Sequence, residues 1–160
     1  MRGDGFTTCL WFDGQAEEAA QYYVSVFKNS KIGNVGRYNE AGPGPAGSAM
    51  AVEFEINGQK FVGLNGGPEF KFDEAISFQI HCDDQAEVDH YWNRFVEDGG
   101  EEGPCGWLKD KFGLSWQIVP AGAVELVTDP DPEKSKRATE AMFKMKKLDI
   151  EVMRKAHAGE

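Results

Sequence analysis

The sequence is poor in cysteine, in positive charge and in long apolar runs. Its 160 residues hold three cysteines, Cys9, Cys82 and Cys105, an odd number with no CxxC spacing. That pattern speaks against a disulfide framework or a cysteine zinc site and for reduced thiols, so a cytoplasmic location is expected. Lys and Arg number 17 against 27 Asp and Glu, a formal net charge of -10. Nucleic acid and anionic membrane surfaces are drawn by a basic field, so neither is expected as a partner. No apolar stretch approaches the roughly 18 residues of a membrane span, and Met1 to Gly5 leads into no signal-peptide core.

What is present suits an α+β protein. Hydrophobic residues make up 41% of the chain, enough to bury a core in one domain, possibly of two halves. Residues 106–120, Gly-Trp-Leu-Lys-Asp-Lys-Phe-Gly-Leu-Ser-Trp-Gln-Ile-Val-Pro, predict a hairpin turning at Lys111-Phe112-Gly113, where Gly113 takes a positive φ without steric cost. In its second strand Ser115, Gln117 and Val119 alternate with Leu114, Trp116 and Ile118, which predicts one partly polar and one apolar face. A ligand would meet the polar face.

Upstream, residues 5–12 read as a strand, 13–27 as a helix and 31–38 as a second strand. Residues 39–48 hold too many Gly and Pro for either element and are expected to form a mobile flap. Residues 49–56 alternate Met50, Val52, Phe54 and Ile56 with Glu53 and Glu55, and Asn57-Gly58 predicts a type I′ turn into 60–65. The order then recurs. Residues 75–82 alternate Ile76, Phe78 and Ile80 with Ser77, Gln79 and His81, and Asp84 with Glu87 predicts a capping box opening a helix that ends at Gly99-Gly100. Asp13-Gly-Gln-Ala-Glu17 matches Asp83-Asp-Gln-Ala-Glu87 at an offset of about 70, the mark of a duplication. Beyond Pro120, a break at Asp129-Pro-Asp-Pro132 precedes apolar positions Ala138, Met142, Met145, Leu148, Val152 and Ala156, which predict one long helix packed on the body or on a sister subunit.

These pieces resemble the PhnB-like branch of the vicinal oxygen chelate superfamily, the glyoxalase/bleomycin-resistance/dioxygenase group. The resemblance rests on Thr8-Cys-Leu-Trp-Phe-Asp13, Leu64-Asn-Gly-Gly67, Cys105-Gly-Trp-Leu-Lys-Asp110, Trp116-Gln-Ile-Val-Pro120 and the tail Ala141-Met-Phe-Lys-Met-Lys-Lys147. It implies an α+β fold of two tandem βαβββ modules, 5–67 and 74–120, whose curled mixed sheets surround a shared cavity within a domain of residues 1–128. Residues 129–160 then form the helical extension. It also implies a homodimer.

Superfamily enzymes carry His or Glu metal ligands on the first and last strand of each module. The matching positions are Thr8, Leu64 or Asn65, Ser77 and Gln117, neutral groups that hold divalent metals poorly, so neither metal nor cofactor is expected. The expected site is a cavity floored by Ser77, Gln79, His81, Ser115 and Gln117 and walled by Thr8, Asn65 and Trp107. Cys9 and Cys105 have no His near them in sequence and read as packing residues, while Glu53 and Glu55 face either a cavity or solvent. Three classes of function stay open: a metal-independent small-molecule binder, a superfamily enzyme working through polar groups, and a methyltransferase, since this branch also resembles proteins labelled 3-demethylubiquinone 3-methyltransferases. The last lacks a nucleotide-type strand-loop-helix, because the Gly-rich residues 64–68 follow a hairpin and lead to no helix. Binding leads the three.

Overall fold

The computed structural model of the protein describes residues 5–160; most of the Met1 to Gly5 segment weighed above as a leader lies outside the described residues. Two compact units divide the chain between Phe72 and Asp73.

The first unit runs β1 (Thr8–Phe12), α1 (Ala16–Val26), β2 (Ser30–Arg37), β3 (Ala49–Ile56) and β4 (Gln59–Asn65). Its sheet has the order β1-β4-β3-β2, with β1 parallel to β4 and the other pairs antiparallel. Asn57 and Gly58 take φ of 47° and 82°, as the type I′ turn between β3 and β4 demands. Helix α1 covers one face: Ala16, Ala19 and Tyr23 are fully buried, and Phe54 stacks between Tyr23 at 5.9 Å and Phe61 at 5.2 Å. Gly63 permits that approach, since an added Cβ would stand 3.1 Å from the Ala16 Cβ. The 39–48 loop is anchored, not the free flap expected of its composition. Tyr38 donates from its N–H to Ser48 O and accepts from Gly47 N–H, its hydroxyl donates to Asn65 O at 2.6 Å, and a side chain at Gly42 or Gly44 would strike its ring.

The second unit repeats the order with β5 (Ser77–Cys82), α2 (Gln85–Glu97), β6 (Glu101–Glu102), β7 (Trp107–Lys109) and β8 (Ser115–Pro120). The sheet order β5-β8-β7-β6, with β5 parallel to β8, matches the first unit strand for strand, as duplication requires. Asp84 accepts from Glu87 N–H at 2.9 Å, and the Glu87 carboxylate accepts from Asp83 N–H at 2.7 Å, which fixes the start of α2. Trp116 lies between Phe95 and Phe78 at 5.3 and 5.5 Å, so this tryptophan belongs to the core. Burial, with Glu87, Asp83 and Asp84 adding to it, pushes the Cys82 thiol up to about 12 and leaves it an inert packing group.

The β7–β8 turn is held by a residue the sequence pattern does not single out. Asp110 is 3% exposed; its Oδ1 accepts from the N–H groups of Phe112 (2.8 Å) and Leu114 (3.1 Å), and its Oδ2 accepts from Trp116 Nε1 (2.9 Å). Gly113 takes φ 88° in the same turn.

The single long helix expected beyond Pro132 is two helices, α4 (Pro132–Phe143) and α5 (Ile150–Ala158), and a short α3 (Ala123–Val127) precedes the break at 129–132. The break between α4 and α5 has a physical cause. Met145 O and Lys146 O accept from Cys105 N–H (2.9 Å) and Gly106 N–H (2.7 Å), and Gln85 donates to Leu148 O (2.9 Å) while accepting from Ile150 N–H (3.0 Å). Those carbonyls and that amide cannot serve a continuous helix, and Asp149 caps a new one by accepting from Glu151 and Val152 N–H. The apolar stripe closes on itself: Met142 and Met145 pack against Ala123, Ile150 and Met153.

Replacing Asp110 by Ala strands the buried Trp116 indole and two turn amides, with an expected loss of about 3 kcal/mol of stability. Urea unfolding checks this, and a loss below about 1 kcal/mol would show the turn to be held by something else. A second expectation concerns acid. The Trp92 indole N–H and Lys146 hold the Glu102 carboxyl below its usual range, Lys147 does the same to Asp89, and the Asp131 N–H together with His157 does so to Asp129. Groups depressed on folding stabilise above their unfolded values near 4 and lose that contribution as pH falls through the lower folded values. Glu102 and Asp89 hold Lys146 and Lys147, and Asp129 holds His157 of α5, so the protection of α5 amides, corrected for the intrinsic pH dependence of exchange, should fall selectively as pH drops through those lowered values. Uniform exchange across the second unit would defeat the idea.

Candidate functional site

Each sheet has a helix-covered face and an opposite one, and the polar residues of the second sheet collect on the latter. Parallel pairing sets Ser77 beside Ser115, Gln79 beside Gln117 and His81 beside Val119, while β7 adds Trp107 beside Gln117 and Lys109 beside Ser115. The amides form a ladder: Gln79 Nε2 donates to Gln117 Oε1 at 3.2 Å, and Gln117 Nε2 donates to Ser77 Oγ at 2.8 Å. His81 is exposed at the far end of the strand. Five of the expected residues, Ser77, Gln79, Trp107, Ser115 and Gln117, are therefore neighbours on one surface.

A cavity of about 590 Å³ opens beside this ladder, lined among others by Trp107, Ser115, Lys109, Cys105, Glu74 and Phe143. Ser115 is its most telling group. It is 1% exposed, and its Oγ makes no hydrogen bond among the described residues. A buried hydroxyl without a partner costs about 1–3 kcal/mol, so such groups are rare and mark places where a ligand or water completes the bonding. Lys109 Nζ lies 2.5 Å from Glu74 Oε1; that hydrogen bond lowers the Glu74 carboxyl and raises the Lys109 ammonium, an exposed pair of modest strength.

Thr8 and Asn65 lie elsewhere. The alternation of β1 puts Thr8 on the same side as the buried Leu10 and Phe12, with Phe61 as its strand partner, hence on the face that α1 covers. Asn65 is a strut there: its Oδ1 accepts from Ala16 N–H at 2.9 Å and its Nδ2 donates to Ala49 O at 3.0 Å. The opposite face of the first sheet instead carries Cys9, Glu53, Glu55 and Val62, beside a cavity of about 830 Å³ that Thr7, Lys31 and Lys60 also line. The signal for Thr7 was in the repeat, since an offset of 70 pairs Asp13 with Asp83 and therefore Thr7, not Thr8, with Ser77. Glu53 accepts from Asn34 Nδ2 at 3.1 Å and Glu55 pairs with Lys31 at 3.5 Å. Trp11 is structural: its ring lies over Gly66 and its Nε1 donates to Gly67 O at 2.8 Å.

The resembled superfamily implies a metal. Here Ser77 and Gln117 offer neutral oxygens and nitrogens already bonded to one another, and no three His, Cys, Asp or Glu among the described residues converge as ligands. The donor set does not fit a divalent cation.

The 3-demethylubiquinone-9 3-methyltransferase family matches residues 4–119. Among solved structures, the PhnB protein from Bacillus cereus, described under the same methyltransferase heading, is 35% identical with a TM-score of 0.64, covering 73% of this chain and 99% of its own. FosX, a fosfomycin resistance protein from Mesorhizobium loti, shares the fold at 12% identity and a TM-score of 0.52, covering 74% and 92% of the two chains. A glyoxylase/bleomycin resistance protein/dioxygenase domain from Frankia does so at 13% and 0.50, covering 71% and 88%. No curated protein matches the chain. The duplicated sheets, the family match over most of the sequence and the likeness to PhnB agree, and the chain belongs to the 3-demethylubiquinone-9 3-methyltransferase, PhnB-like family.

Proposed function

We propose that the protein binds a small organic molecule without a metal, on the polar face of the second sheet. The observation that carries this reading is the Ser115 hydroxyl, 1% exposed and without a partner among the described residues, in the wall of a cavity of about 590 Å³ next to Trp107. Cavities of that size suit drug-sized ligands, which draw affinity from apolar walls and orientation from a few polar groups. Ser77, Gln79, His81 and Gln117 continue the polar surface, whereas Thr8 and Asn65, on the face of the first sheet that α1 covers, are left out of the site. An enzyme working through the same groups is not favoured, since the ladder holds no evident acid, base or activated nucleophile. Methyl transfer has no support in the local structure either: the glycines after β4 cradle Trp11 and lead into no helix.

We further propose a cytoplasmic homodimer. Three free thiols suit a reducing compartment, and no helix among the described residues is long and apolar enough to cross a membrane. The methionine stripe gives the dimer no support because it is covered within its own unit; the reason that remains is the edge strands β2 and β6.

Two measurements follow. After equilibration with Zn, Fe, Mn and Ni salts, elemental analysis should find far less than one metal per chain, and Gln117→Ala should weaken binding of the neutral probe 2-naphthalenemethanol about fivefold while leaving the fold intact. Stoichiometric metal at Ser77 and Gln117 would restore the enzyme reading. The mass in dilute solution should be twice the 17.7 kDa of the chain, and a monomer at micromolar concentration would refute the dimer.

A further inference from the structure

We infer that the C-terminal helices, which the family match does not include, complete the cavity on the second sheet and select for an aromatic cation; this rests on the reading of that cavity as a ligand site. The family match ends at residue 119, and the Bacillus cereus protein is covered to 99% by only 73% of this chain. The cavity nonetheless depends on what lies beyond. Phe143, the last residue of α4, stands in its wall with 67% of its surface exposed, so its ring is open to a ligand in the cavity.

The extension also shapes the opposite wall. Cys105 and Gly106 take φ of 57° and 82°, and their N–H groups are held by Met145 O and Lys146 O. Leu148 fixes this conformation from outside, because an added Cβ at Gly106 would stand 3.0 Å from its side chain. Without residues 145–148 the Cys105 and Gly106 N–H groups, in the segment that presents Pro104 and Cys105 to the cavity, lose their partners.

The chemistry of the walls names a class of ligand. Trp107 and Phe143 supply aromatic surface, and Ser115, more than nine-tenths buried with an unanswered hydroxyl, supplies one polar contact at the floor. The charged lining is Glu74, Glu101, Glu102 and Lys109, three carboxylates against one ammonium. Lys109 pairs with Glu74 and also faces its strand partner Glu101, and Lys146 answers Glu102 at 3.2 Å from outside the lining, so three carboxylates stand against two ammoniums. A ring bearing a fixed positive charge suits two aromatic faces and an acidic rim; a carboxylate on the same ring meets repulsion from the rim and from a chain of net charge -10.

Titration calorimetry of the full-length chain at low salt, with three probes on one skeleton, tests this: (2-naphthylmethyl)trimethylammonium, 2-naphthalenemethanol and 2-naphthoate. The cation should bind about fivefold more tightly than the alcohol, with naphthoate weakest. Glu101→Gln should bring the cation to within about twofold of the alcohol without weakening the alcohol. Phe143→Ala, at an exposed position where folding is expected to survive and circular dichroism confirms it, should weaken cation and alcohol alike by about fivefold. Equal binding of all three probes, an unaltered preference in Glu101→Gln, or full affinity in Phe143→Ala overturns the inference but leaves the metal-free site standing if Ser115→Ala still weakens the alcohol. Absence of binding by all three probes up to millimolar concentration overturns the inference as well, while the metal measurement separately judges the underlying site.

Discussion

The Asp110 carboxylate gathers two turn amides and the Trp116 indole into one buried point, and the register of the second sheet depends on it. Side chains alternate along a strand, so a slip of one residue in β8 would send Trp116 and Ile118 to the polar face and bring Ser115 and Gln117 under α2. By grasping the ring of Trp116 as well as the backbone of the turn, Asp110 ties the choice of face to the geometry of the hairpin. Everything polar in the candidate site follows from that choice: the pairing of Ser77 with Ser115, the amide ladder, and the placement of Trp107 beside Gln117. The carboxylate is tolerated inside because it accepts three hydrogen bonds, two of them from the local backbone.

Much of this was legible in the residues. The alternation from Leu114 to Val119, the Asn57-Gly58 turn, the Asp84 and Glu87 cap and the repeat at an offset of 70 are local features, and each appears where the pattern puts it. The failures are of another kind. Helical periodicity runs unbroken through Met145 and Leu148, but the carbonyls of 145 and 146 are claimed by residues some forty positions earlier, and no local rule foresees a distant competitor. Composition alone makes residues 39–48 look loose, whereas Tyr38 turns their glycines into a fitted surface. A family position read directly gives Thr8, which shares a face with Leu10 and Phe12, whereas counting from the internal repeat gives Thr7 on the other face. Asp110 was passed over because an aspartate before a turn is commonplace, and only burial shows that it faces inward.

The candidate site differs in donor chemistry from the metal sites that the resembled superfamily implies, on a scaffold of the same fold. The parallel strand pair of each module is a rigid place to mount ligands, and nothing in the backbone requires the mounted groups to be imidazole or carboxylate. In this chain the β5–β8 pair carries hydroxyls and amides that bond to one another, an arrangement suited to orienting a ligand by hydrogen bonds. The first module's equivalent surface is charged, with Glu53 and Glu55 set against Lys31 and Lys60, so duplication has produced two sheets of the same topology and different chemistry.

The hydrogen bonds from Gln85, Cys105 and Gly106 to residues 145–150 also bear on the order in which the protein is made. The first unit has all its strands once residue 65 has emerged from the ribosome, and its contacts close within 72 residues. The second closes later: the N–H groups of Cys105 and Gly106 have no partners until synthesis has run some forty residues further. Folding during translation is therefore asymmetric, with the first half able to close before the second.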